Sequence, residues 1–415
     1  MTGLATGGET LLRDGSGVEE YAAECFRARP GSRVGAELEF LVFDRAAPAR
    51  HVPAAAVAEA LPPLPGGSRV TFEPGGQVEL SGPAASLPEA IDRLAADVRA
   101  VSLALGEAGL VLAGVGLDPV RPAVRQSREP RYEAMAEYLG PPCGPLMMCS
   151  TASVQVNVDL GADPAARWER ACRLGPVLTA AFANSPLRSG APCGWMSGRQ
   201  AVWAGLDPTR TSPVPVDRDP AAAWAAYLLD ARVMLRRGPG GRFRAVRDGS
   251  TFRDWLPSPP APPTAGDLAY HATTVFPPVR PRGWLEVRYL DAQPVRMWPV
   301  CVAVTYALVV DDRAADAALA AAEPCAGLWE RAARLGLADP ELRRAAEACF
   351  LAALAALPRL GASAALVGAV AAFADRHVTP GRSPAAYLLE LARRPEPSPA
   401  VRPLDISWEG RAWTM

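Results

Sequence analysis

The chain has 415 residues, 49% hydrophobic and 21% charged, which excludes a disordered, collagen-like or coiled-coil protein and predicts a soluble globular one. Acidic residues (44) nearly cancel basic ones (43), and the formal charge of -1 gives no global pull toward nucleic acid or an anionic membrane. All 43 basic residues are arginine, which rules out a Schiff-base lysine, a lysine-bearing phosphate loop and the strand lysine of a protein kinase.

Residues 16 to 28 open with Ser16 and Glu19 in capping-box spacing, and Tyr21, Ala22, Cys25 and Phe26 form an apolar face, predicting a short helix. From Val34 the pattern alternates strictly. Val34, Ala36, Leu38, Phe40 and Val42 point one way and Gly35, Glu37, Glu39 and Leu41 the other, which predicts a strand with two carboxylates on one face. Residues 69 to 81 predict a hairpin broken at Pro74-Gly75-Gly76, with Glu73 at the break and Gln77, Glu79 and Ser81 opposite Val78 and Leu80. Ser86 and Glu89 suggest a second capping box, ahead of a long amphipathic helix bearing Ile91, Leu94, Val98, Val101 and Leu105.

Residues 150 to 160 alternate most cleanly, with Thr151, Ser153, Gln155, Asn157 and Asp159 on one face. Asp163-Pro164 and Asp219-Pro220 each read as an N-cap followed by proline, opening helices to about 183 and 232. A Pro-rich loop follows at 257 to 265. Residues 284 to 291 give a further strand, with Glu286 and Arg288 on one face. Residues 312 to 393 predict several short helices, and the last 20 or so a tail. Strands among helices without regular alternation predict an α+β fold with a mostly antiparallel sheet.

The eight cysteines include no C-x-x-C pair and the three histidines no H-x-x-x-H, so no zinc site is expected. The first thirty residues lack a basic segment followed by an apolar one, which predicts a cytoplasmic protein with reduced thiols. The longest apolar runs, Met297 to Val310 and Gly361 to Ala374, fall short of the ~20 residues that span a bilayer.

Together the predicted strands offer Glu37, Glu39, Glu73, Glu79, Gln155, Asn157, Glu286 and Arg288 on what reads as one sheet face. A polar face can simply be solvated, but solvated faces mix charges of both signs, whereas this set is almost purely acidic. Clustered carboxylates repel unless a cation sits among them, and oxygen-only ligands select Mg2+ or Mn2+. This points to phosphoryl chemistry, with Arg288 as the group that steadies a transferring phosphoryl; its plainer reading is an ion-pair partner for Glu286.

The segments V-G-A-E-L-E-F (34–40), T-F-E-P-G-G-Q-V-E-L-S (71–81), R-Y-E-A-M (131–135), M-M-C-S-T-A-S-V-Q-V-N (147–157), S-G-R-Q-A-V-W (197–203) and W-L-E-V-R-Y-L-D-A-Q-P (284–294) resemble the glutamate-cysteine ligase family. The likeness spans roughly residues 20 to 390 and is nearer to the actinobacterial branch that supplies γ-glutamylcysteine for ergothioneine synthesis than to the plant-type enzymes. The resemblance implies a glutamine synthetase-like fold, a curved, mostly antiparallel sheet with covering helices, as one catalytic domain over 1–395 (helical over 312–393) with a tail at 396–415. It implies ligation of L-glutamate to L-cysteine through γ-glutamyl phosphate, with ATP as co-substrate and Mg2+ (or Mn2+) bound by Glu37, Glu39, Glu73, Glu79 and Glu286. Glu286 and Arg288 are the expected catalytic pair, Arg288 stabilising the phosphoryl group. Gln155 and Asn157 would face metal and substrate, although some relatives carry histidine where Gln155 stands, and Arg199 and Arg210 would hold glutamate or phosphate. Met147, Met148, Cys149 and His271 read as structural.

Three other readings stay open. A ligase with a different amine acceptor would keep every metal carboxylate; a guanidino kinase would share the fold class without making an amide; a non-catalytic relative would keep the sheet. Oligomeric state has no signature in the sequence.

Overall fold

A computed structural model describes residues 8–28, 31–216, 219–238, 240, 242–257 and 262–393. The expected tail at 396–415 and the centre of the Pro-rich loop, 258–261, lie outside the described residues. The sheet consists of β1 (Val34–Asp44), β2 (Arg69–Phe72), β3 (Val78–Ser81), β4 (Leu110–Ala113), β5 (Ser153–Val158), β6 (Val279–Pro281) and β7 (Leu285–Asp291). Its order is β6-β7-β5-β1-β3-β2, with β4 paired to the far end of β1, and every pairing is antiparallel. The expected α+β class with an antiparallel sheet is what forms.

Strand alternation divides the sheet into two faces. Val34, Ala36, Leu38 and Phe40 of β1, Val78 and Leu80 of β3, Val154, Val156 and Val158 of β5, and Leu285 and Val287 of β7 are buried in one hydrophobic cluster. The opposite face carries the acidic and amide side chains.

The helices that matter for the site are α1 (Ser16–Cys25), α2 (Leu87–Glu107), α3 (Cys143–Ser150), α4 (Gly198–Ala204), α5 (Trp298–Val310) and α6 (Ala364–Phe373). In α2 the apolar residues Leu87, Ile91, Leu94, Val98, Val101 and Leu105 are all buried, as their three-four spacing requires. Each contributes about 1.5–3 kcal/mol of gross burial. Buried Asp97, in the same helix, accepts from the backbone N–H groups of Gly66 and Ser68 at 2.5 and 2.9 Å, which ties down the approach to β2. Helix α5 is apolar on all sides and buried on all sides, packing against β5 and β1. No described helix is long and apolar enough to cross a membrane.

Several local expectations are corrected. The box at Ser16 does not form, because the Ser16 hydroxyl donates to Asp14 at 2.6 Å and is drawn away from the helix N–H groups. Ser86 does sit at the N-cap, but its side chain makes no capping bond, and Glu89 pairs instead with Arg93 at 3.2 Å. Asp163 and Asp219 cap as expected, accepting from Ala166 and Ala222. The helix expected to reach 183 is split at Leu174, ahead of Gly175-Pro176, into Pro164–Arg173 and Gly175–Ala181. The 150–160 strand starts only at Ser153, since Cys143–Ser150 is helical.

Two glycines define opposite consequences of adding a methyl group. A β-carbon on Gly75 would lie 2.2 Å from the Cys149 backbone oxygen, so only glycine lets the β2-β3 turn pack on α3. Exposed Gly368, inside α6, has nothing within 4 Å. In chemical denaturation Gly75→Ala is expected to lose about 1–3 kcal/mol of stability and Gly368→Ala to gain about 0.5–1 kcal/mol. Equal effects of the two changes contradict the packing described.

Candidate active site

The register of the strands builds the polar face. Across β1 and β3 Glu39 stands opposite Glu79; across β1 and β5 Glu37 stands opposite Gln155 and Gly35 opposite Asn157; across β5 and β7 Asn157 stands opposite Glu286. Glu73 joins from the turn between β2 and β3. That turn is closed by Glu73 N–H to Gln77 O at 2.9 Å and Gly76 N–H to Glu73 O at 2.8 Å. It is clamped from outside by Gln126 N–H to Pro74 O at 2.7 Å and Gln77 Nε2 to Thr151 O at 2.9 Å. Glu39, Glu73 and Glu79 thereby each bring one carboxylate oxygen within 4.8 Å of the others.

Burial and mutual repulsion raise three carboxyls of this face. Burial, then the charges of Glu39 and Glu79, push the Glu73 carboxyl up to about 8. Burial, then Glu286 and Glu79, push Glu37 up to about 7, and burial with the charge of Glu79 raises Glu39. Thr71 and Ser81 donate hydroxyl hydrogen bonds to Glu79 at 2.8 and 3.0 Å, while Ser153 N–H donates to Glu39 at 2.8 Å. A trio of carboxylate donors with no nitrogen or sulfur ligand fits a hard divalent cation such as Mg2+ or Mn2+.

The other half of the face is cationic. Glu286 is 1% exposed, and both its oxygens are engaged by arginines: Arg280 Nε at 2.6 Å and Arg288 Nη1 at 3.1 Å on Oε2, and Arg282 Nη1 at 3.4 Å on Oε1. Although burial opposes it, Arg280, Arg288 and Arg282 together hold this carboxyl well below the usual range. The structure thus sets Glu286 apart from the Glu39, Glu73 and Glu79 trio, against the expectation that it would join them around a metal. Gln155 couples the two halves, donating to Glu39 at 2.9 Å and accepting from Arg288 Nη1 at 2.6 Å. Asn157 donates to Glu37 at 3.0 Å and accepts from the Trp284 indole at 3.2 Å.

Of the two other arginines, Arg199 lies under β7 and donates through Nη2 to the Arg288 carbonyl at 2.8 Å. Arg210 does not reach the face. It is fully buried and its donors go to Asp207, Thr274 O, Tyr138 and Arg232 O, a structural strut and not an anion contact. Asp207 explains the difference: D-P-T-R is a helix start in which Asp207 accepts from Thr209 N–H, which turns Arg210 inward. Met147, Met148 and Cys149 pack in a small apolar cluster, and burial raises the Cys149 thiol to about 11. Burial likewise pushes His271 down to about 3, with its Nε2 facing Leu228 O at 3.0 Å.

Sequence reasoning missed Arg280, Arg282 and Trp284. Their signal was the V-R-P-R-G-W run, whose strand β6 is only three residues long and interrupted by proline.

The raised carboxyls fix a pH dependence. Glu37 and Glu73 bind protons more tightly folded than at the unfolded value of 4.5, so their contribution to stability is full below that value and lost as pH rises through about 7 to 8. A divalent cation competes with those protons. Mg2+ is therefore expected to raise the melting temperature more at about pH 8.5 than at about pH 6, and Glu39→Gln to remove most of that increment. Equal Mg2+ shifts at both pH values, or an unchanged shift in Glu39→Gln, contradict the metal assignment.

The model of glutamate-cysteine ligase family 2 (GCS2) matches residues 33–403. A glutamate–cysteine ligase EgtA of Mycobacterium tuberculosis is 42% identical over 395 residues, covering 90% of this chain and 89% of the relative. One from Mycolicibacterium smegmatis is 44% identical over 338 residues, covering 77% and 79%. A chloroplastic glutamate–cysteine ligase of Medicago truncatula is 34% identical over 249 residues, covering 56% and 48%. Among solved structures, the glutamate–cysteine ligase of Francisella tularensis in complex with AMP superposes with a TM-score of 0.57 at 14% identity, covering 92% of this chain and 88% of that one, a likeness of fold. With a family model spanning most of its length and relatives above 40% identity over most of theirs, the chain belongs to glutamate-cysteine ligase family 2.

Proposed function

We propose that this protein joins the γ-carboxylate of L-glutamate to the amino group of L-cysteine at the expense of ATP, giving γ-glutamylcysteine for ergothioneine synthesis. The observation that carries the reading is the divided sheet face, with a carboxylate trio on one side of Gln155 and an arginine-rich patch on the other. Similarity to enzymes named glutamate–cysteine ligase EgtA supports the substrates.

The residues divide the work by charge. Glu39, Glu73 and Glu79, with Glu37 beside them, would hold Mg2+. The ion supplies neutralisation of the ATP phosphates, which would otherwise be repelled by so acidic a face. A γ-carboxylate oxygen of glutamate attacks the terminal phosphorus and ADP leaves, forming γ-glutamyl phosphate. The cysteine amine then attacks the acyl carbon, phosphate departs, and the nitrogen loses its proton. Arg288 steadies the transferring phosphoryl group: its hydrogen bonds within the protein run through Nη1 to Gln155 and Glu286 and aim its fork. Glu286, fixed by Arg280 and Arg282, anchors that aim. Arg199, buried beside β7, offers a guanidinium to a substrate oxyanion. One catalytic domain over 1–395 accounts for the whole reaction. Similarity to enzymes named glutamate–cysteine ligase favours cysteine over a different amine, and intact Glu37, Glu39, Glu73, Glu79 and Arg288 disfavour a non-catalytic relative.

The test is incubation of purified protein with ATP, Mg2+ and L-glutamate, with and without L-cysteine, following phosphate release and product mass. Cysteine-dependent phosphate release with a γ-glutamylcysteine product is expected. Phosphate release with another amine alone overturns the acceptor, and none with any amine overturns the ligase reading. Arg288→Lys, which replaces a fork by a point charge, is expected to lower kcat by about 100-fold or more while the protein stays folded.

A further inference from the structure

Asp291, the last residue of β7, is 2% exposed and takes no part in the carboxylate trio. Its Oδ2 accepts from Asn184 N–H at 2.8 Å and the Ser185 hydroxyl at 2.7 Å, and its Oδ1 accepts from the Ser197 hydroxyl at 2.8 Å. Ser197 caps α4, the helix that carries Arg199. Ser185 also accepts from the Arg199 backbone N–H at 3.1 Å. One buried carboxylate therefore sets the start of α4 against the end of β7.

The strand is built to receive it. The register of β7 on β5 slips by one residue between Val287 and Leu290, a bulge that leaves Arg288 and Tyr289 outside the ladder. Their carbonyls accept instead from Arg199 Nη2 at 2.8 Å and Gln200 Nε2 at 2.7 Å. Arg199 and Arg288 then share the wall of a small cavity of about 30 Å3 with Trp203, Phe276 and Tyr289.

The guanidinium of Arg199 is only partly used. Its Nη1 is buried and finds no hydrogen-bond acceptor among the described residues, and Asp291 Oδ1 stands 3.9 Å away. At that separation the carboxylate offsets the buried positive charge without consuming a donor. An arginine meant only to brace the fold would spend its donors, as Arg210 does on four partners.

We propose that Asp291 is a positioning residue for substrate binding, which with Ser185 and Ser197 holds Arg199 so that a free guanidinium N–H faces a substrate oxyanion. The inference rests on the ligase reading above. The oxyanion is either the carboxylate of the amino-acid substrate or a phosphate of ATP, and the kinetics separate them.

The experiment is steady-state kinetics of full-length Asp291→Asn, with Ser185→Ala as a milder change that keeps the buried charge. If Asp291→Asn fails to fold, Ser185→Ala and Arg199→Lys carry the test. The expected result is a KM raised about tenfold or more for one substrate, with kcat and the other KM within about twofold. A rise for glutamate assigns the carboxylate, and a rise for ATP the phosphate. Ser185→Ala is expected to move the same KM by about threefold, and adding Asp291→Asn to Arg199→Lys to add less than about twofold, because both act through one guanidinium. Wild-type KM values in Asp291→Asn or Ser185→Ala, a fall in kcat alone, or additive effects in the double variant overturn the proposal. A wild-type protein that makes no γ-glutamyl product fails the ligase reading instead.

Discussion

Glu39 and Glu79 face each other across two hydrogen-bonded strands, and Glu73 turns back on both; the fold holds three carboxyl groups with one oxygen of each within 4.8 Å of the others. At an effective dielectric of ~20, unit charges at such separations repel by roughly 3–4 kcal/mol per pair. Burial and then this repulsion raise the Glu73 and Glu39 carboxyls, so a cation bound among them displaces protons. The rest of the structure is arranged to keep the arrangement from relaxing. The apolar undersides of β1, β3 and β5 are locked into the core by α2 and α5, so no strand can slip register without burying its carboxylates and exposing its valines. The Glu73 turn is pinned by Gln77 and Gln126, and by a glycine that lets it lie on α3. Strain of this kind suits a site that must take up a hard cation together with a polyanion.

The second organising element is the bulge in β7. Across it the pairing to β5 passes from Val287 to Leu290, while Arg288 N–H donates to Pro278 O at 2.8 Å and Pro278, having no N–H, leaves the Arg288 carbonyl open. There the side chain of Arg288 reaches Gln155 and Glu286 on the polar face while its carbonyl accepts from Arg199 Nη2. Gln155 then spans the charge boundary. Donating to a carboxylate and accepting from a guanidinium fixes its amide orientation, so a change on the acidic side is felt at Arg288 through one side chain.

Much of this was legible in the sequence, and for identifiable reasons. The alternation at 34–42 and 153–158 is carried by residues buried on one face and polar on the other, so Glu37, Glu39, Gln155 and Asn157 declare their side. The same holds for α2. What stayed hidden was short or tertiary. Strand β4 is four uniformly apolar residues with no period to read. Arg280, which makes the shortest contact to Glu286 at 2.6 Å, sits in a three-residue strand that ends at Pro281. Arg210 looked like an anion-binding arginine because resemblance to a family position cannot distinguish a guanidinium facing a cavity from one spent on carbonyls. Glu286 looked like another metal carboxylate for the same reason: its three arginine partners converge only in the fold.

The measurement that reaches the central claim most directly is anomalous diffraction at the manganese edge from crystals of the protein grown with Mn2+ and an ATP analogue. The account predicts a peak bounded by Glu39, Glu73 and Glu79, lost in crystals of Glu39→Gln. A peak elsewhere on the molecule, or none with nucleotide bound, would contradict it.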